Sequence, residues 1–76
     1  MSWNYRVLAH RYIGTISLEI HEVYYDDNGV PVGHTENGVS VNGDDLHSLE
    51  LRLDRMKIAL SKPILMAGDE FPKELQ

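Results

Sequence analysis

Four histidines, His10, His21, His34 and His47, are the side chains in this sequence best suited to bind a metal or move a proton. Imidazole changes charge near neutral pH and is a common metal ligand. No two of them are spaced as HxH or HxxxH, so no preformed metal pair is visible. His21 and Glu19 lie two apart, on one face of an extended segment, and are the pair that can share a site. Against that stands a plainer reading, a solvent-facing strand with polar side chains. Nucleophilic catalysis needs an activated Ser, Thr or Cys beside a positioned base. Ser17, Ser40, Ser48 and Ser61 occur in no such context, and GxSxG is absent. The carboxylate pair Asp26/Asp27 fits turn chemistry, and the pair Asp44/Asp45 fits the positive end of a helix dipole. The glycines form neither GxGxxG nor a P-loop, and the run from Asp26 to Gly29 lacks the rest of an EF-hand loop. The chain therefore reads as one that is not an enzyme. No catalytic residue, no cofactor and no metal ligand is assigned.

The elements that carry these residues follow from periodicity. Residues 3–10 alternate, with Trp3, Tyr5, Val7 and Ala9 on one face and Asn4, Arg6 and His10 on the other. Period two with aromatic and β-branched residues reads as a strand, and Gly14 punctuates the connection that follows. Residues 15–25 form the clearest strand. Ile16, Leu18, Ile20 and Tyr24 share one face, while Thr15, Ser17, Glu19 and His21 form a face that reads as solvated. Asp26-Asp27-Asn28-Gly29 is the strongest turn signal, because Asn and Gly tolerate positive φ. A third strand returns over residues 30–36, and Pro31, which lacks an N–H, places it at a sheet edge. Asn37-Gly38 marks another turn, and Val39-Ser40-Val41 is a short extended piece.

A helix is expected from about Asp44 to Ser61. Leu46, Leu49, Leu53, Met56 and Leu60 are spaced three, four, three, four, and this stripe is expected to pack as core on the sheet. Lys57 and Lys62 sit near the helix end, and Pro63 closes it. Leu51 and Ile58 are one heptad apart on the opposite side, with His47 near the same line. A helix on a sheet needs one apolar face. The plain reading of Leu51 and Ile58 is two solvated exceptions or residues covered by the tail; the sharper one makes Leu51, Ile58 and His47 the candidate interface with a second copy or another protein. The expected fold is α+β: a small antiparallel sheet of about three strands in β-β-β-α order, packed by one amphipathic helix. Residues 1–66 form the single domain, and 67–76 are an irregular tail.

Composition bounds what this domain can be. A chain of 76 residues supports one domain with a marginal core, and without Cys it has neither disulfides nor thiolate metal sites to supplement it. A partner subunit is the natural supplement. The net charge of −5 disfavours non-specific binding to nucleic acid or anionic membrane. No run of 18 apolar residues exists and the first residues lack a signal peptide's apolar segment, so the expected location is the cytoplasm.

The stretch EVYYDDNGVPVGHTEN from Glu22 to Asn37, followed by GDDL from Gly43 to Leu46 and ALSKPIL from Ala59 to Leu65, resembles a family of short bacterial proteins. Those proteins open on a strand like Ser2-Trp3-Asn4-Tyr5-Arg6, and the likeness covers residues 2–65. The family has no assigned activity, so the resemblance carries no functional residue across. More distantly, the strand and helix order is similar to HicB-type antitoxin domains, with Gly43-Asp44-Asp45 where their helix opens. Their Pro-Gly-Cys turn and DNA-binding segment have no counterpart here. That likeness implies a toxin-neutralising or inhibitory module. The residues themselves imply a non-catalytic protein–protein interaction domain or homo-oligomer, such as a dimer, without a membrane or nucleic-acid partner.

Overall fold

The computed structural model describes residues 2–75. Its elements are β1 (Ser2–Tyr12), β2 (Thr15–Tyr25), β3 (Pro31–His34), α1 (Leu46–Ile58) with a 3-10 turn at Ala59–Ser61, β4 (Leu65–Met66), and a second 3-10 turn at Gly68–Glu70. The fold is α+β, with one helix and a curled, mixed sheet in the order β3-β2-β1-β4.

β1 and β2 form a long antiparallel hairpin closed at Ile13-Gly14, where Gly14 takes φ of 77°. Its register sets Val7 opposite Ile20, Leu8 opposite Glu19 and His10 opposite Ser17. The second hairpin turns at the Asx-rich run. Asp26 Oδ1 accepts from the backbone N–H groups of Asn28 and Val30, and Gly29 supplies φ of 77°. β3 is short and lies at the sheet edge, as Pro31 requires.

The sheet has four strands rather than three. β4 runs parallel to β1, pairing Leu65 with Leu8 and Met66 with Ala9. A two-residue strand has no periodicity to announce it. Its pairing depends on where Pro63 releases the chain after the helix. The segment over residues 39–41 is not a strand, although Val39 donates its N–H to the Ile20 carbonyl at 2.9 Å.

Both faces of β1 are covered, which explains why Leu8 breaks its polar alternation. On one face Tyr5 and Val7 pack with Met56 and Ala59 of the helical segment, joined by Ile20, Val39 and Ile64. On the other, Leu8 and Val23 pack with Leu65, joined by Tyr25, Ala67 and Phe71. The C-terminal segment therefore lies against the sheet face opposite the helix. It is held by Ala67 N–H to the Ala9 carbonyl at 3.0 Å, by Leu75 N–H to the Ile64 carbonyl at 2.8 Å, and by an exposed ion pair of Arg11 with Glu70 at 2.9 Å. Arg6 is buried and ties the layers together, donating to the Tyr25 hydroxyl and, at 2.7 Å, to the Pro63 carbonyl.

α1 begins where Asx chemistry allows. Asp45 is the N-cap; its carboxylate accepts from Ser48 N–H at 2.8 Å, and Ser48 Oγ accepts from Asp45 N–H in return. Gly43 is needed for this approach, since a Cβ there would stand 2.6 Å from the Leu49 backbone nitrogen.

Candidate functional site

Two surfaces carry residues that the packing does not use up. The first is the helix. Its leucine stripe was expected to be core, yet only Met56 and Ala59 of the helical segment are buried, with Leu49 partly so. Leu46 is 84% exposed, Leu53 48% and Leu60 68%. At 100° per residue Leu53 lies about 60° round the helix from Met56, so a helix seated on Met56 turns the Leu46/Leu53/Leu60 line away from the sheet. The stripe is real, but it is wider than the contact it was assigned to. Beside it, Ile16 and Leu18 on the same face of β2 are also exposed. A shallow cavity of about 300 Å³ runs between Ile20, Val41, Leu53, Met56 and Leu60.

Leu51, Ile58 and His47, singled out as an interface, are exposed, and the tail does not cover them. Leu51 and Ile58 border grooves of about 260 and 270 Å³ on the other flank of the helix, both floored by Trp3 and Tyr5. Those two rings meet edge to face with centroids 5.2 Å apart, and Trp3 stays half exposed. His47 lines neither groove.

The second surface is the histidine cluster on the tail-covered face of the sheet. The β1–β2 register makes His10 and Glu19 diagonal neighbours, with His21 two residues further along β2 on the same face. His10 Nε2 lies 2.9 Å from His21 Nε2 and 3.9 Å from Glu19 Oε1, and one ligand atom from each residue falls within 4.8 Å of the others.

His21 belongs to the face of β2 that reads as solvated, yet it is completely buried, as is Val23 beyond it. The tail and β3 account for this. His34, on β3, stands edge-on to His21, and Phe71 stands edge-on to His34 with centroids 4.8 Å apart. Burial pushes the His21 imidazole below its ordinary value. The Thr35 carbonyl opposes that shift, and neighbouring His10 and His34 add to it.

The hydrogen bonds assign the tautomers. His21 Nδ1 lies 3.0 Å from the Thr35 carbonyl oxygen, which can only accept, so Nδ1 carries the proton. His21 Nε2 is then a bare lone pair aimed at His10. His34 donates from Nδ1 to the same carbonyl at 2.6 Å and accepts from Gly68 N–H at Nε2, so both its nitrogens are engaged. Tyr12 stacks on His10, and an open cleft of about 420 Å³ lined by His10, Arg11, Tyr12, His34 and Glu36 reaches the cluster from solvent.

No family model, curated protein or solved structure matches this chain. Function therefore rests on the two surfaces alone. Among the described residues no helix is long and apolar enough to cross a membrane.

The sequence pairs His21 with Glu19 but does not bring His10 to them, because His10 and His21 are eleven positions apart. The available signal was the two-residue turn ending at Gly14: once that turn fixes the register, His10 and Glu19 must meet.

Proposed function

We propose that this chain is a non-catalytic, self-associating interaction domain whose principal contact is the exposed leucine line of α1. The observation that carries the proposal is the exposure of Leu46 and Leu53 on α1 and of Leu60 in the 3-10 turn that continues it, the equivalent of about two whole leucine side chains left in water. A small core with this much open apolar surface gains by covering it.

A second copy suits the surface because the line is self-complementary. Two such helices packed antiparallel about a two-fold axis at Leu53 set Leu46 against Leu60 of the other copy. The same arrangement brings Glu50 within one residue of the opposing Lys57, once on each side of the axis. Glu50 and Lys57 are both exposed, seven residues apart on the strip that adjoins the leucines. Opposite charges at these places favour the antiparallel pairing and disfavour the parallel one, which would align like with like.

Sedimentation equilibrium over a wide concentration range tests the idea. Glu50→Lys and Lys57→Glu each weaken association, and the double exchange restores it. A chain that stays monomeric at its solubility limit excludes self-association. Dissociation by Leu51→Glu and Ile58→Glu, with the charge exchanges silent, moves the contact to the Trp3 flank of the helix.

A further inference from the structure

We infer that His10, His21 and Glu19 form a binding site for a divalent transition-metal cation of the zinc type, entered from the cleft beside Tyr12. The site lies on the face of the sheet opposite the helix and stands independently of the self-association reading.

Geometry is the first ground. Zinc bonds imidazole nitrogen at about 2.0–2.1 Å and carboxylate oxygen at about 2.0–2.2 Å in a tetrahedral arrangement, so ligand atoms sit about 3.3–3.4 Å apart. The His10 and His21 Nε2 atoms are 2.9 Å apart, and His10 Nε2 is 3.9 Å from Glu19 Oε1. Both separations from His10 are within about half an ångström of what zinc requires, and the His21 and Glu19 ligand atoms lie within 4.8 Å of each other, so that rotamer adjustment of the partly exposed Glu19 has to close the set.

Preparation of the ligands is the second. Metal-bound histidines commonly donate their other N–H to a carbonyl or carboxylate, which fixes the tautomer and aims the free lone pair. His21 is held this way: Nδ1–H meets the Thr35 carbonyl, and the completely buried ring sets Nε2 against His10 Nε2. In the metal-free arrangement His10 must donate its Nε2 proton to that lone pair. A cation takes the place of the shared proton and joins the same two nitrogens.

The carboxylate has a built seat as well. A Cβ on Gly38 would stand 2.9 Å from Glu19 Oε2 and 3.3 Å from Glu19 Cβ, so the absence of a side chain there leaves the room that the carboxylate occupies. Three protein ligands leave a fourth position for water or a small anion, and of the three it is His10 that lines the cleft. Two imidazoles select against calcium and magnesium, which prefer oxygen-only sets.

The test is zinc titration of the chelator-stripped chain, followed by histidine ring NMR and by competition with a chromophoric chelator. One equivalent binds. The ring signals of His10 and His21 shift most, and those of the remote His47 keep their positions. His10→Gln and Glu19→Gln, at partly exposed positions and safe for the fold, each weaken binding by about tenfold or more. Gly38→Ala, which keeps all three ligands but crowds the carboxylate, weakens it less. Cobalt in place of zinc gives the intense visible bands of a tetrahedral site. The inference is overturned if zinc leaves the His10 and His21 rings unmoved. Undiminished binding in the His10→Gln/Glu19→Gln double variant also overturns it, because the ion would then lie elsewhere.

Discussion

Replacing Leu53 with glutamate is the most direct test of the helix surface. Leu53 is 48% exposed in the single chain, so an antiparallel pair centred there covers about half a leucine on each copy and about one leucine in all. Covering a whole leucine stabilises by about 1.5–3 kcal/mol. Each 1.4 kcal/mol is about tenfold in affinity. Leu53→Glu is therefore expected to weaken association by about one to two orders of magnitude before any charge term. The two introduced carboxylates face each other across the axis, which adds to the loss and makes it larger at low salt. Leu51→Glu is the matched control, because Leu51 is 46% exposed on the opposite side of the same helix. It alters hydrophobicity and charge equally but leaves the proposed seam intact. Sedimentation equilibrium reads the dissociation constant, and far-UV circular dichroism verifies that both variants keep their helix. If Leu53→Glu associates as tightly as the unsubstituted chain, or if Leu51→Glu dissociates it equally, the seam is wrong.

Two further substitutions test the fold that holds these surfaces. Leu8 is fully buried between β2, β4 and the tail, so Leu8→Ala is expected to cost about 2–5 kcal/mol, comparable with the whole stability of a core this size; a loss below about 1 kcal/mol in urea unfolding would mean the tail-side cluster contributes little. Asp45 is the helix cap, and its bond from Ser48 N–H holds the carboxyl below its ordinary value of 3.8. A depressed folded value means that the unfolded chain binds the proton more readily. The contribution is then present above the ordinary value and is lost as pH falls through the folded one. Asp45→Asn keeps an acceptor at the cap without a titrating group, so its helix signal is expected to fall less steeply in acid than that of the unsubstituted chain; superimposable acid curves would count against the cap.

Periodicity made β1, β2 and the helix legible because each is long enough for its apolar spacing to repeat, and the turn at Asp26–Gly29 announced β3. The edge position of β3 followed from one residue, Pro31. What periodicity cannot carry is the angle at which a helix sits. Leu46, Leu49, Leu53, Met56 and Leu60 share a stripe wide enough for two contacts. Small Ala59, buried beside Met56, swings the seated line away from Leu53. The exposed leucines were thus visible as a pattern and misassigned as core. β4 was invisible for a different reason: two residues have no period, and parallel pairing with β1 is a tertiary event. The polar face of β2 reads as solvated over Thr15, Ser17, Glu19 and His21, while Val23 and Tyr25 on the same face point to cover at its far end. The tail and β3 cover only its far end, where His21 and Val23 lie.

β1 links the two surfaces physically. Its odd residues Tyr5 and Val7 seat the helix, and its even residues Leu8 and His10 face the tail and the histidine cluster. The leucine seam and the cation site therefore lie on opposite sides of one sheet and share no side chain. Effects at sites without shared contacts add. Zinc should accordingly raise the melting temperature of the Leu53→Glu chain by as much as it raises that of a monomeric unsubstituted chain at low concentration. The two surfaces would be coupled only if the cation changed the curl of the sheet enough to tilt α1. In that case the zinc effect on melting would itself depend on protein concentration.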